Sequence, residues 1–592
     1  MSLQQFERKE IFPEESLPEV EELISEGRRM ARSVAVGYSS FLNEYNVNSE
    51  FEYKEQQIKA GRVMMHGQIG VRRLERSKQA YQKIYEKIDQ AGYRIDRYGI
   101  CLDWSMGYPK DKRPGMPKGT GLILEDDVDF ATLTRSAPVA AHFGDFVMGT
   151  PAAFENTIAA LQAGSTAIGN IGQYFNFRMP HWDDDVTTTA ETIKAIALCA
   201  AQPVDILIHS NLDDGFSALF CDLTCSIGAV LIEQYIVDDL LGGCISHCYG
   251  HTFSDPMTRL AFQRALHKVS RSPGSMVYGN TTIYGKNEIE NYANLASYML
   301  PDIIGQMTLP TGHGLNPVPV TEAIRIPDID EIIDAHLFAN RLMERADGFV
   351  PMLDFDKADE ISGVLIKSGT MFKNAVLKGL DEVGVDIRNP FELLLSIRRV
   401  GAKRLEELYG PGKKDDTQIR KRKPVIKATT VAELESTADE VAKFLSAEEQ
   451  EVIHDRNFNA CVACTDVHEY GKVLLEAVFK RLELNITDAG VSSDPDVVAK
   501  SAKDSGASFI AISTYNGVAL DYIKKLTEEL ERAQLKLPIF IGGKLNQVKE
   551  DDVSGLPQDV TAEVMELGVI VCHTVEDLLR ELIRMAQGAR YD

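Results

Sequence analysis

Eight short apolar runs follow one another between residues 62 and 313, most of them separated by stretches long enough for a helix. They read "RVMMHGQIG", "RYGICLDW", "PVAAHFGDFVMGT", "STAIGNIGQYF", "PVDILIHSN", "GGCISHCYG", "GSMVYGN" and "IGQMTLPTGH". No other feature constrains the chain as strongly. An apolar run followed by a helix-length crossover reads as a parallel strand with its helix laid back over the sheet. Eight such repeats predict a (β/α)8 barrel of the TIM type over residues 61–350. In that fold the polar residues that close the runs collect on one face, where barrel enzymes keep their chemistry.

The flanking segments have different patterns. Residues 1–60 read as a helical N-terminal extension, with apolar residues at helical spacing in "LPEVEELISEGRRMARSV". Residues 351–450 read as a helical region followed by a linker, the latter being the charged, Pro- and Gly-punctuated "PGKKDDTQIRKRKPVIK". Residues 451–592 alternate again, through "NACVACT", "LNITDAG", "SFIAIST", "LPIFIGG" and "GVIVCH". This second alternation predicts a smaller, doubly wound α/β domain of flavodoxin-like, Rossmann-like type.

Charge and cysteine usage narrow the function. A formal net charge of -25 repels nucleic acid and anionic lipid. There is no apolar stretch long enough to cross a membrane and no basic-then-apolar leader pattern, so a cytoplasmic protein acting on a small molecule is expected. The nine cysteines sit mostly inside apolar runs and read as buried core, with no structural disulfides. Cys461 and Cys464 belong to that group. "CISHCYGH" looks like a metal motif, but on one strand its residues do not converge, so Cys244 and Cys248 also read as core.

One loop in the small domain carries chemistry. "TDVHEYGK", Thr465–Lys472, falls at the first strand-to-helix turn, where ligands of such sheets bind. Ser513, Thr514 and Tyr515 close the third strand and Gly542 with Gly543 closes the fourth, so all three features meet on one sheet edge. A neutral imidazole is a good cobalt ligand, and a carboxylate two residues away can hold its other ring proton. Read alone, the motif favours a plain loop histidine hydrogen-bonded to Asp466.

The pattern Asp-x-His-x-x-Gly, then serine, then Gly-Gly, resembles the cobalamin-binding module of adenosylcobalamin mutases and of corrinoid proteins of the methionine-synthase type. The resemblance implies His468 as the axial cobalt ligand, with Asp466 behind it and Lys472 in support. It implies that Gly471 lets the macrocycle approach, that Ser513 contacts the displaced nucleotide tail, and that Gly542 and Gly543 leave room for it. Tyr515 departs from that family, which usually has leucine there.

The barrel is similar, more weakly, to the catalytic subunit of glutamate mutase. The similarity lies in "GTP" at Gly149–Pro151, "GN" at Asn170, "MPHW" at Met179–Trp182, "CYG" at Cys248–Gly250 and "TGHGLNPVPVTEA" at Thr311–Ala323. That family grips a dicarboxylate with arginines, one of them just before the motif matching Gly149–Pro151, where this chain has Val147 and Met148. It also has a catalytic glutamate and tyrosines where this chain has Ile171, Phe177 and His181. 2-Methyleneglutarate mutase has a comparable single-chain layout. A substrate other than glutamate is therefore expected.

Together these resemblances imply an adenosylcobalamin-dependent radical isomerase of the carbon-skeleton mutase type, its barrel mouth sealed by the small domain. Such enzymes commonly form homodimers. The candidate catalytic residues are His66, Asp103, Asn170, Arg178, His181, His209, Tyr249 and His313. Further candidate cavity residues are Gln68, Asp145, Tyr174, Asn211, Asp213, His247, Tyr278 and Asn280. In "HWDDD", Asp184 and Asp185 read instead as helix-capping residues. The alternatives are a corrinoid-dependent methyltransferase and a non-enzymatic cobalamin carrier or sensor.

Overall fold

The computed structural model describes residues 7–69, 72–250, 253, 255–279, 283–466, 468–515, 517–549 and 556–588. The chain divides into two compact units. The first comprises Met1–Pro114, Gly121–Asn176 and Asp184–Thr430, and the second Gly115–Thr120, Phe177–Asp183 and Val431–Asp592. No helix among the described residues is long and apolar enough to cross a membrane.

The first unit is built on eight parallel strands. They are β1 (Met64–Ile69), β2 (Arg97–Ile100), β3 (Ala140–Phe143), β4 (Ala167–Ile168), β5 (Leu207–Ser210), β6 (Cys244–Tyr249), β7 (Met276–Val277) and β8 (Gly314–Leu315). Their hydrogen-bonded order is β7-β6-β5-β4-β3-β2-β1-β8. The strands are short and buried, with helices between them, as a parallel sheet covered on its outer face requires. The sheet is curled, because one cavity is lined from all eight strands or their ends. Among the described residues the ladder runs from β7 round to β8, with no pairing between those two. A curled parallel sheet is thus what stands where a closed barrel was expected.

Aspartates set several of the covering helices. Asp184 accepts a hydrogen bond from the Thr187 N–H at 2.8 Å and caps Asp185–Ala200, as its place in the sequence suggests. Asp255 caps Pro256–Val269, where proline at the first position costs no helical hydrogen bond. The eighth apolar run departs from expectation. Ile304–Thr308 form the last turn of helix Glu288–Thr308, burying Ile303 and Ile304, and the strand begins only at Gly314. Pro310 is the physical reason, since it drives Leu309 out of the helical region to φ -140° and ψ 78°.

The segment expected as a linker is held by the first unit. Arg422 donates to the carbonyls of Glu407, Leu408 and Gly412, and the Val425 and Ile426 N–H groups donate to the Asp222 carboxylate.

The second unit contains a five-stranded parallel sheet. Its strands are β9 (Asn459–Cys464), β10 (Asn485–Gly490), β11 (Phe509–Thr514), β12 (Ile539–Gly543) and a short strand Ile570–Val571, in the order β10-β9-β11-β12 and then the short strand. The period of two puts successive residues on opposite faces, and both faces are buried. Cys461, Ala463, Ile510, Ile512 and Ile541 pack on one side, with helix Ala519–Arg532. Ala460, Val462, Phe509, Ala511 and Phe540 pack on the other, with helix Val575–Ala586. That is the doubly wound arrangement, whose ligand crevice lies beyond the carboxyl ends of β9 and β11, where the strand order reverses.

Candidate functional site

At that crevice the sheet register lines up the sequence features. Cys464 pairs with Ser513, and Ser513 pairs with Gly542, so the loops that follow β9, β11 and β12 leave the sheet side by side. His468 stands on the first of them. Its Nδ1 lies 2.7 Å from Asp466 Oδ1, and its own backbone N–H donates to the same oxygen at 3.0 Å. The second carboxylate oxygen accepts from the Tyr515 N–H at 2.8 Å and the Thr465 hydroxyl at 3.0 Å. Asp466 is fully buried while the His468 side chain is 39% exposed.

Burial alone would push the Asp466 carboxyl up, but the hydrogen bonds from His468 and the backbone more than offset it and hold the carboxyl below its ordinary value. An ionised carboxylate only accepts, so Nδ1 carries the proton and the neutral ring has its lone pair on Nε2. That is the tautomer a metal ion takes.

The surroundings suit a large, flat ligand. A Cβ added at Gly471 would meet Ser513 Oγ at 2.4 Å, so only glycine lets the helix start this close to β11. Gly543 has φ +109°, and its Cβ would run into the Thr514 carbonyl. Gly471 and Gly543 thereby keep their own positions beside β11 and β12 free of side chains. Lys472 turns elsewhere, its Nζ 2.7 Å from Asp488 Oδ1 and bonded also to Glu476. Tyr515 packs against His468 with its ring tilted by 40° and the centroids 4.6 Å apart, and Lys544 Nζ lies 4.4 Å above the tyrosine ring.

The first unit holds the cavity that its curled sheet encloses. His66 and Gln68 enter it from β1, Arg97 from β2, His142 from β3 and His209 from β5. Asp145, Asn170, Asn211 and Tyr278 enter from the strand ends, with Cys248 from β6 and His313 and Asn316 beside β8. The histidines touch one another: His142 and His209 ring centroids are 4.7 Å apart, and those of His209 and His313 5.7 Å. Burial first, and then the positive Arg97 and Lys54, hold His66 and His313 well below their ordinary range, and His142 and His209 are lowered likewise. Beneath them Glu50 lies 2.8 Å from Arg97 and 3.1 Å from Lys54, all three buried.

Strand parity sorts the remaining candidates. Tyr249 and His247 face outward from β6: Tyr249 bonds Ser217 and packs on Phe262, and His247 Nε2 bonds Glu233 at 2.9 Å. Tyr174 bonds Thr189. Asp103 caps the turn Trp104–Gly107 through Ser105. Asp213 accepts from the Gly250 N–H at 2.6 Å. None of these is among the cavity-lining residues.

Arg178 and His181 belong to the second unit, where Arg178 Nη2 lies 2.9 Å from Asp494 Oδ2 and the His181 N–H donates to the same carboxylate. Asn280 lies outside the described residues. Arg97, His142, Cys248 and Asn316 line the cavity without standing out in sequence. The alternation in "AAHF" and "LIHS", which turns His142 and His209 to one face, is the signal that could have found His142.

Residues 458–581 match the family model of the B12 binding domain. That span covers β9, the His468 loop, Ser513 and the Gly542–Gly543 pair. A cobalamin-type cofactor fits the residues present: a proton-fixed imidazole at the switch point, and beside it the glycines Gly471, Gly542 and Gly543, which leave room next to β11 and β12.

Proposed function

We propose that the chain is an adenosylcobalamin-dependent radical isomerase whose first unit is a (β/α)8 barrel and whose His468 would hold the cofactor's cobalt. When bound, the cofactor supplies hydrogen-atom abstraction through homolysis of its cobalt–carbon bond. Everything else falls to the protein. His468 presents Nε2, Asp466 holds the opposite proton, and Gly471, Ser513 and the Gly542–Gly543 pair accommodate the rest of the ligand.

The observation that carries the isomerase reading is the cavity ringed by histidines kept neutral. A radical rearrangement needs little acid–base strength; it needs a substrate held still by hydrogen bonds away from water. The interior volume is about 60 Å³, and its lining residues are mostly polar. The substrate class is therefore a small polar molecule. Gln68, Asn170, Asn211, Tyr278 and Asn316 supply neutral hydrogen-bonding groups around it.

The test is the visible spectrum of the full chain reconstituted anaerobically with adenosylcobalamin, followed by electron paramagnetic resonance as small polar candidates are added. A spectrum with histidine replacing the cofactor's own base, and a substrate-dependent cobalt(II)–radical signal, is expected. Methyl exchange from a donor without any radical signal overturns the isomerase reading in favour of methyl transfer.

A further inference from the structure

The same cavity contains a group that radical chemistry does not require. His209, Cys248 and His313 each offer one ligand atom, and these atoms all lie within 4.8 Å of one another. They come from β5, β6 and the approach to β8, and all three residues are buried. Cys248 Sγ is 2.6 Å from His313 Nε2, while His313 Nδ1 is buried and has no hydrogen-bond partner among the described residues.

Branched apolar side chains dominate the interior of most eight-stranded barrels. Two imidazoles and a thiol there forfeit hydration, which is costly unless something replaces it. Two neutral imidazoles and a thiolate form a ligand set suited to zinc, and three protein ligands leave a fourth position open for a substrate or water. Ligand atoms around a tetrahedral zinc stand about 3.3–3.7 Å apart, given metal–ligand bonds of about 2.0–2.3 Å. The three ligand atoms lie within 4.8 Å of one another, and the Cys248–His313 pair, at 2.6 Å, would part by about 1 Å to share an ion.

We propose that His209, Cys248 and His313 bind a divalent transition ion, zinc foremost, whose fourth position takes a carboxylate or carbonyl oxygen of the substrate. Binding requires the Cys248 thiol to release its proton as the sulfur–zinc bond forms, so zinc uptake frees one proton. The resulting positive centre would supply the substrate anchor that Val147 and Met148 do not. The proposal stands whether the corrinoid carries an adenosyl or a methyl group.

The experiment is elemental analysis of the full chain, produced without a metal-affinity tag and dialysed against zinc and then buffer, with zinc affinity measured by competition with a chromophoric chelator. One zinc per chain is expected in the wild type, independent of cobalt content. Cys248→Ser and His313→Gln are each expected to weaken zinc binding by about 100-fold or more, whereas Cys244→Ser, on the same strand but outside the group, retains it. Far-UV circular dichroism and corrinoid binding show whether each variant has folded, and His209→Asn serves as a third variant if one has not. A wild type that retains no zinc after dialysis, or zinc retained equally by Cys248→Ser and Cys244→Ser, overturns the proposal.

Discussion

Asp466 Oδ1 lies 2.7 Å from His468 Nδ1, with the carboxylate fully buried and the imidazole at the surface. The buried partner therefore dictates which nitrogen the exposed one presents. Asp466→Asn keeps the shape but removes the negative charge that favours an Nδ1 proton. Corrinoid affinity is expected to fall by about 10- to 100-fold, read as a shifted titration of the visible spectrum.

The same pair makes a pH prediction. The folded Asp466 carboxyl lies below its ordinary value. Its stabilisation is therefore present above about pH 4, the usual carboxylate value, and is lost as pH falls through the lower folded value. The stability gap between wild type and Asp466→Asn should narrow on acidification below pH 4. A gap that widens there contradicts the assignment.

Gly471 and Ser513 should behave as a coupled pair. A methyl at residue 471 would sit 2.4 Å from Ser513 Oγ but 3.5 Å from Ser513 Cβ. Gly471→Ala is thus expected to cost about 1–3 kcal/mol through overpacking and to weaken corrinoid binding. Removing the hydroxyl in Gly471→Ala/Ser513→Ala should recover most of the loss in stability. Urea melts of the two single variants and the double variant measure the coupling directly.

The sequence carried the small domain more fully than the large one. In the small domain a single loop holds Asp466, His468 and Gly471, and strand register does the rest, so spacing along the chain maps onto one sheet edge. The cavity of the first unit draws one to three residues from each strand or its end. Its membership depends on side-chain parity within strands as short as β4 and β7, which apolar runs do not specify. Tyr249 and Cys248 are neighbours in "CYG", yet only Cys248 faces inward. Arg178 and His181 read as barrel residues by position, but Asp494 holds them in the second unit. The eighth strand was displaced because "IGQM" is as apolar as a strand while its neighbours complete a helical face.

Glu406 gives the first unit a pH dependence of opposite sign to that of Asp466. Its carboxylate accepts the N–H groups of Cys221 and Asp222 at 2.9 and 2.8 Å, yet burial pushes it from an ordinary 4.5 up to about 7, and Arg420 only partly offsets this. Between those values the folded state binds more protons than the unfolded state, so stability falls as pH rises from about 4.5 to 7. Glu406→Gln is expected to flatten that slope. Thermal melting of both proteins across this range checks it, and an unchanged slope rules Glu406 out as its source.

Asn170 ties the cavity wall together through one oxygen. Its Oδ1 accepts the backbone N–H of Gly172 at 3.0 Å and that of Asn211 at 2.7 Å, and the residue is buried. Asn170→Ala would leave both donors without their partner. At about 1–3 kcal/mol for each buried group left unsatisfied, the loss should be about 2–6 kcal/mol, lowering the urea midpoint of the first unit. Asn170→Asp keeps the accepting oxygen and should retain most of the midpoint. Because Asn211 also lines the cavity, the alanine variant is further expected to weaken binding of whichever small substrate the radical assay identifies. Equal midpoints for the two variants would show that Asn170 acts on the substrate alone and does not brace the wall.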